Sequence, residues 1–335
     1  MASTRRSIRL PVHRRTSVPA VLFPAEEAAG QRRELRLGTL RWIDVIRPTP
    51  RDSEELGAEF GFHELAIEDS QSRVQRPKLD DYDEYLFLVL QFPVYHKVTR
   101  KTVAAEVNIY VGRDYVITLH DGTLKPILRL FDRASQAPDE LGAELEGASG
   151  RLLYEIVDEL VDYCFPIVNK VGQNIDRVER MIFDEDQSPL ETVQEISVLR
   201  RDIIALRRIV RPEIGILSQL ERKQPTYLGE DIDVYFGDLL DHVSKLWDAL
   251  EDYRDVVEGL TYTNDSLTSH RLNEIIKVLT ILSVVMLPLT VITSFYGMNV
   301  PLPFADSPWT TTAIAVFMLA VAGGMFAYFR AKRWL

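Results

Sequence analysis

Two stretches late in the chain carry no charged side chain: Val278 to Phe295, about 18 residues, and Trp309 to Phe329, about 21. Each is long enough as a helix to cross a hydrocarbon core. The loop between them, Val300–Pro308, is too short for a domain, so the two runs read as a hairpin with both ends on one side of a membrane. Arg271 and Lys277 precede the first run, and Arg330, Lys332 and Arg333 follow the second, whereas the loop has neither Lys nor Arg. The positive-inside rule then places both termini in the cytoplasm, and Trp309, Tyr328 and Trp334 stand where interfacial aromatics belong.

The two runs differ in polarity. The second is rich in Ala, Val, Phe and Met, with Gly323-Gly324 as one expected close-packing spot. The first carries Asn273, Thr280, Ser283, Thr290 and Ser294. The series 273, 276, 280, 283, 287, 290, 294 keeps helical spacing, so these side chains share one stripe, with Ile276 and Leu287 as its apolar members. Hydroxyls bonding back to their own helix would explain each Ser or Thr singly, but not their alignment with Asn273. A polar stripe faces protein or water rather than lipid, and two spans cannot enclose a pore. The expectation is an oligomer in which the first span lines a channel and the apolar rings form hydrophobic constrictions. Pro288 frees the carbonyl of Val284; a kink is the plainer reading than a direct ion ligand. The first run ends at Tyr296-Gly297-Met298-Asn299.

Upstream, strand-like runs occupy Tyr85–Leu90, Ala105–Tyr110 and Tyr115–Leu119, with helix-like segments at Ser53–Phe60 and Lys125–Ala134. The first of these is continuously apolar, as in a strand buried on both faces. Pro138–Gly150 reads as a linker. From Arg151 the apolar spacing is helical, punctuated by Pro166, Pro189, Pro212 and Pro225. A last, longer helix begins near Asp233, and its Val243, Leu246, Leu250, Tyr253, Val257 and Leu260 alternate by three and four. That stripe packs against partner helices or, equally well, within a monomer core. Between Glu230 and Asp265 eleven acidic residues face two basic ones; such a run is a solvated face, and beneath a pore it also concentrates cations.

The sequence thus divides into a basic, disordered tail (1–30), a cytoplasmic α/β domain (31–150), a helical region ending in a stalk helix (151–277), a first span (278–299), an external loop (300–308), a second span (309–329) and a basic end (330–335). The net charge of −11 argues against nucleic-acid binding, and the single cysteine, Cys164, excludes an internal disulfide and a Cys-rich metal site. Thr4-Arg5-Arg6-Ser7-Ile8 looks like a twin-arginine signal, but no apolar segment follows it. There is no P-loop, nucleophile motif or clustered His/Cys site, so no enzyme is expected.

Gly297-Met298-Asn299 before a second span resembles the hallmark of the CorA family of magnesium channels and transporters. Further residues carry the likeness. Asn273–Thr280 is similar to the family's membrane-entry segment, and Leu287-Pro288-Leu289-Thr290 to its Met-Pro-Leu-Thr. Tyr235-Phe236-Gly237-Asp238 with Asp241-His242 resembles its stalk signature. Gln75–Lys78, the Asp83–Leu90 strand and Lys332–Leu335 are similar to other family segments. The resemblance implies an α/β cytoplasmic domain plus a long α-helical stalk and two transmembrane helices, assembled as a homopentameric funnel-shaped channel in the bacterial plasma (inner) membrane. Mg²⁺ would be the transported and possible regulatory ion, with Co²⁺ and Ni²⁺ as other substrates. Tyr296, Gly297, Met298 and Asn299 would form the selectivity filter. Asn273, Ile276, Leu279, Leu287 and Thr290 would line the path, where the stripe itself favours Thr280 over Leu279 and adds Ser283 and Ser294. Asp238 and Asp241 would serve as regulatory metal ligands. The implied partners are further copies of the chain, membrane lipid and divalent cations, with no nucleic acid.

The motif is chemically sensible. Mg²⁺ sheds its water reluctantly, so a fast pore recognises the hydrated ion, whose outer hydrogens need acceptors. Asn299 carbonyls offer these without fixed charge, the helix C-terminus adds a negative dipole end, and Gly297 permits a tight turn. Two departures stand out. The loop offers only Asp306 where family loops often carry Glu. Among the expected gating carboxylates, Tyr95-His96-Lys97 supplies none as partner to Asp238, while Tyr262 stands near the membrane where the family pattern implies an acidic residue. The rival readings are a zinc transporter of the same superfamily, disfavoured by Met298, and a membrane-tethered binding or scaffold module, which needs no polar stripe.

Overall fold

A computed structural model describes residues 30–72, 75–96, 101–145, 147–184, 186–223, 226–229, 232–298, 308–332 and 334. The expectations for the basic tail, Pro225, Lys97, the external loop including Asp306, and Asn299 fall largely or wholly outside these residues. The chain forms two compact units. One holds the described residues up to Phe165 together with Arg208–Lys245, and the other holds Pro166–Arg207 with Leu246 onward.

In the first unit six strands form one sheet: β1 (Gln31–Leu37), β2 (Leu40–Ile46), β3 (Lys78–Asp81), β4 (Leu86–His96), β5 (Lys101–Val111) and β6 (Tyr115–His120). Their order is β1-β2-β6-β5-β4-β3. β2 and β6 run parallel, Ile43 opposite Ile117, and every other pair is antiparallel. Helices α1 (Pro50–Phe60) and α2 (Glu64–Gln71) follow β2. A capping box starts α1: Asp52 accepts the Thr49 N–H at 2.7 Å while the Thr49 hydroxyl accepts from Asp52 N. Gly61, at φ +73°, ends it. Leu56, Phe62 and Ala66 pack on Ile43, Val45, Phe87, Val89, Tyr110, Ile117 and Leu119, one face of the sheet. The opposite face receives α3 (Lys125–Gln136), whose Phe131 meets Trp42 edge-on at 4.9 Å.

The strand-like runs and the two helices expected from the sequence are all present, and Tyr85–Leu90 is buried throughout. Two expectations require correction. The stretch taken as a linker contains α4 (Pro138–Glu144), and α5 (Ser149–Phe183) already begins at Ser149. Pro166 and Pro212 do not interrupt helices: they lie inside α5 and α6 (Pro189–Arg222). A proline removes one backbone donor, and buried Cys164 and Val168 around the first, and Val210 and Ile216 around the second, hold the helix through that loss.

The long α7 runs from Ile232 to Tyr296, and α8 from Pro308 to Ala331. Val243, Leu246, Leu250, Val257 and Leu260 are buried, so the alternating stripe is covered within this chain. In the second unit the Arg207 guanidinium lies over Trp247 and pairs with Glu251, and Arg200 donates to the Thr261 hydroxyl at 3.2 Å.

Candidate functional site

Beyond Asp265 the burial pattern of α7 changes. Asn273, Ile276, Leu279, Thr280, Ser283, Leu287, Thr290 and Ser294 are all exposed. The half-covered residues of the same segment are Lys277, Ile281, Val285, Pro288, Leu289 and Ile292. At 100° per residue these two sets are centred roughly 150° apart around the helix. On α8 a matching stripe is covered: Thr310, Ile314, Met318, Val321, Ala322, Met325 and Phe329. Val291, Ile292, Phe295 and Tyr296 share one cleft with Thr310, Ala313, Ile314 and Phe317. Thus α8 covers one side of α7 and leaves the polar stripe on the other. Gly323 and Gly324, expected as a close-packing spot, are exposed and touch nothing within 4 Å where a side chain would grow.

Three of the stripe hydroxyls bond back to their helix. Thr280 donates to Ile276 O at 2.7 Å, Ser283 to Leu279 O at 2.9 Å and Thr290 to Met286 O at 2.9 Å. This consumes each hydroxyl proton and leaves the oxygen as an acceptor with a fixed direction. Back-bonding and a role toward water are therefore compatible.

At the end of α7, Gly297 N–H reaches Thr293 O at 2.9 Å and Met298 N–H reaches Phe295 O at 3.5 Å, closing the last turn tightly. Gly297 is not among the glycines with positive φ. A Cβ there would stand 3.0 Å from Thr293 O, so the constraint at this position is space rather than the conformational freedom expected from sequence.

The regulatory candidates lie in the first unit and separate from one another. Asp238 Oδ1 is 3.8 Å from His242 Nε2. His242 Nδ1, buried and without a hydrogen-bond partner, is 4.0 Å from Asp158 Oδ1. Asp162 completes a group in which one ligand atom each from Asp158, Asp162 and His242 lie within 4.8 Å of one another. Asp241 is exposed and stands outside this group. Burial, and next the neighbouring Asp162, push the Asp158 carboxyl above its usual range, against the pull of His242. A divalent cation between these oxygens would reverse that cost, since carboxylate and imidazole ligands suit such ions. Sequence reading found Asp238 but missed Asp158 and Asp162. Their one available signal was two carboxylates four apart on a helix, which shares a face.

Residues 38–333 match the family described as CorA-like Mg²⁺ transporter proteins. The chain is 31% identical over 300 residues to the cobalt/magnesium transport protein CorA of Thermotoga maritima, covering 89% of this chain and 84% of that one. It is 25% identical over 297 residues to the divalent cation transporter CmaX of Pseudomonas aeruginosa, covering 88% and 87%. The solved CorA magnesium transporter of Methanocaldococcus jannaschii shares the fold, with a TM-score of 0.75 at 22% identity over 89% of this chain and 92% of that one. Two helices long and apolar enough to cross a membrane, a polar stripe on the first and a match across nearly the whole length lead to one conclusion: the chain belongs to the CorA family of divalent-cation transporters.

Proposed function

We propose that this protein conducts Mg²⁺ across the bacterial plasma membrane as a homopentamer, with the membrane part of α7 lining the pore and Co²⁺ and Ni²⁺ as further substrates. The observation that carries this reading is the polar stripe on the side of α7 that α8 does not cover. Five such stripes around an axis supply rings of hydroxyl acceptors from Thr280, Ser283, Thr290 and Ser294. Each ring meets the water hydrogens of a hydrated ion, which spares Mg²⁺ its costly dehydration. Ile276, Leu279 and Leu287 form apolar constrictions between these rings, and Asn273 marks the cytoplasmic end. Tyr296, Gly297 and Met298, with Asn299 beyond the described residues, form the outer filter, where side-chain and backbone carbonyls select the hydrated ion.

In this reading the spans are 278–299 and 309–329, joined by an external loop at 300–308, with both termini cytoplasmic. Cytoplasmic Mg²⁺ closes the pore by binding at Asp238 and the adjoining Asp158, Asp162 and His242. The cobalt and magnesium in the name of the Thermotoga maritima relative support the choice of ion.

The experiment is Mg²⁺ flux into liposomes and uptake in a Mg²⁺-dependent strain, comparing the native chain with Asn299→Ala. The variant should assemble normally and lose uptake. Normal uptake would sink the filter assignment. Faster flux of Zn²⁺ than Mg²⁺ by the native chain would favour the zinc transporter instead.

A further inference from the structure

The sheet of the first unit contains a topological break. β2 and β6 are parallel neighbours, yet the helices that follow them pack on opposite faces: α1 and α2 on the Ile43 face, α3 on the Trp42 face. Where adjacent parallel strands send their connections to opposite sides, a crevice opens beyond their carboxyl ends, and small molecules bind there in open α/β sheets. A cavity of about 360 Å³ lies at this place, lined by Arg47 and Pro48 after β2, His120 and Asp121 at the end of β6, and residues of α2, β4 and β5. That volume falls at the lower end of the range for small-molecule sites.

Three carboxamides line it: Gln71, Gln91 and Asn108. Each uses its NH₂ group within the protein: Gln71 on Pro50 O at 3.4 Å, Gln91 on Gln75 O at 2.8 Å, Asn108 on Glu106 Oε1 at 3.2 Å. That leaves the carbonyl oxygen as the end of each carboxamide able to accept from a ligand. Asn108 is 5% exposed, and its Oδ1 is buried with no hydrogen-bond partner, an arrangement that is costly when nothing answers it. The floor is apolar, with Pro48, Ala105 and Leu119. Glu106 and Asp121 outnumber Arg47, which leaves no cradle for a chain of phosphates.

We propose that this crevice binds a nucleoside whose base carries an exocyclic amino group. A flat base suits the apolar floor, its amino hydrogens and the sugar hydroxyls answer the carboxamide oxygens, and the acidic rim disfavours nucleotides. This site is separate from the transport path and does not depend on the ion assigned to it.

The test is calorimetric titration of the full-length protein in detergent with adenosine, guanosine, cytidine, uridine and ATP. At least one of the three amino-bearing nucleosides should bind, with uridine and ATP each at least tenfold weaker. Gln71→Ala, an exposed rim change, should weaken that binding severalfold, and Asn108→Leu at least tenfold, both with an unfolding midpoint near that of the native chain. No heat with any nucleoside at millimolar concentration would overturn the proposal. So would ATP or uridine binding as tightly as the amino-bearing nucleosides, or binding that survives Gln71→Ala unchanged.

Discussion

The carboxyl of Glu213 accepts the backbone N–H of Gln91 at 2.9 Å. β3 ends its pairing with β4 at Val89, so the next outward-facing donor of β4 is met by a side chain from α6 instead of by a strand. Glu213 is 4% exposed, and burial pushes its carboxyl up to about 8 against the opposing pull of the Gln91 N–H. The folded chain therefore keeps a proton that the unfolded chain releases above the ordinary 4.5. Stability from this group falls as pH climbs from about 5 to 8 and levels off above that. Glu213→Gln keeps the acceptor and removes the titration. Its unfolding midpoint in detergent should vary less over that interval than the native one; an unchanged pH profile would contradict the assignment.

Asp44 is the opposite case. It is fully buried and accepts from Arg33 Nη2 and the Thr118 hydroxyl at 2.6 Å each. His120 Nδ1 accepts the Gly122 N–H at 3.0 Å, so the ring proton sits on Nε2, facing Asp44 Oδ1 at 3.0 Å. Burial pulls the Asp44 carboxyl upward, but His120, Thr118 and Arg33 together outweigh it and hold the group below its usual range. Its contribution is present above the ordinary value and is lost as pH falls through the lowered one. Asp44→Ala leaves Arg33, Thr118 and His120 without their shared acceptor and should destabilise the fold by about 3–5 kcal/mol, read as a lowered unfolding midpoint.

These two carboxyls also mark the limit of the sequence reading. Tyr85–Leu90 was legible as a doubly buried strand because burial on both faces leaves a continuous apolar run, and the membrane runs were legible because a hydrocarbon core demands length without charge. The role of Glu213 was not, since its partner is a backbone group of β4, far away in sequence and silent in side-chain pattern. Asp158 and His242 meet across α5 and α7 for the same reason. α4 was hidden by its Gly and Ala, which dilute periodicity. In the membrane part, the stripe could be drawn from spacing alone, but only the covered face of α7 shows which side α8 occupies.

The metal cluster carries the next expectation. Millimolar Mg²⁺ should protect the part of the full-length protein that precedes the first apolar span from proteolysis if it bridges Asp158, Asp162 and His242 near Asp238. Asp238→Ala and the pair Asp158→Asn with Asp162→Asn should each raise the Mg²⁺ concentration for half-protection several-fold. Asp241→Asn, outside the cluster, should leave it within about twofold. Equal effects of all three would mean that Mg²⁺ acts on general charge rather than at this group.

Thr290 and Thr293 separate the pore reading from simple helix stabilisation. Both hydroxyls bond back to their own helix, Thr290 to Met286 O at 2.9 Å and Thr293 to Leu289 O and Thr290 O at 3.0 Å. Substitution by Val removes that bond in either case and keeps the shape. They differ in direction, since Thr293 lies about 100° from the centre of the stripe at 3.6 residues per turn. If the stripe lines the ion path, Thr290→Val removes a ring of acceptors and should cut Mg²⁺ flux in liposomes several-fold. Thr293→Val should leave flux within about twofold. Equal losses would show that the hydroxyls serve the helix alone, and a larger loss from Thr293→Val would put the pore on a different side of α7.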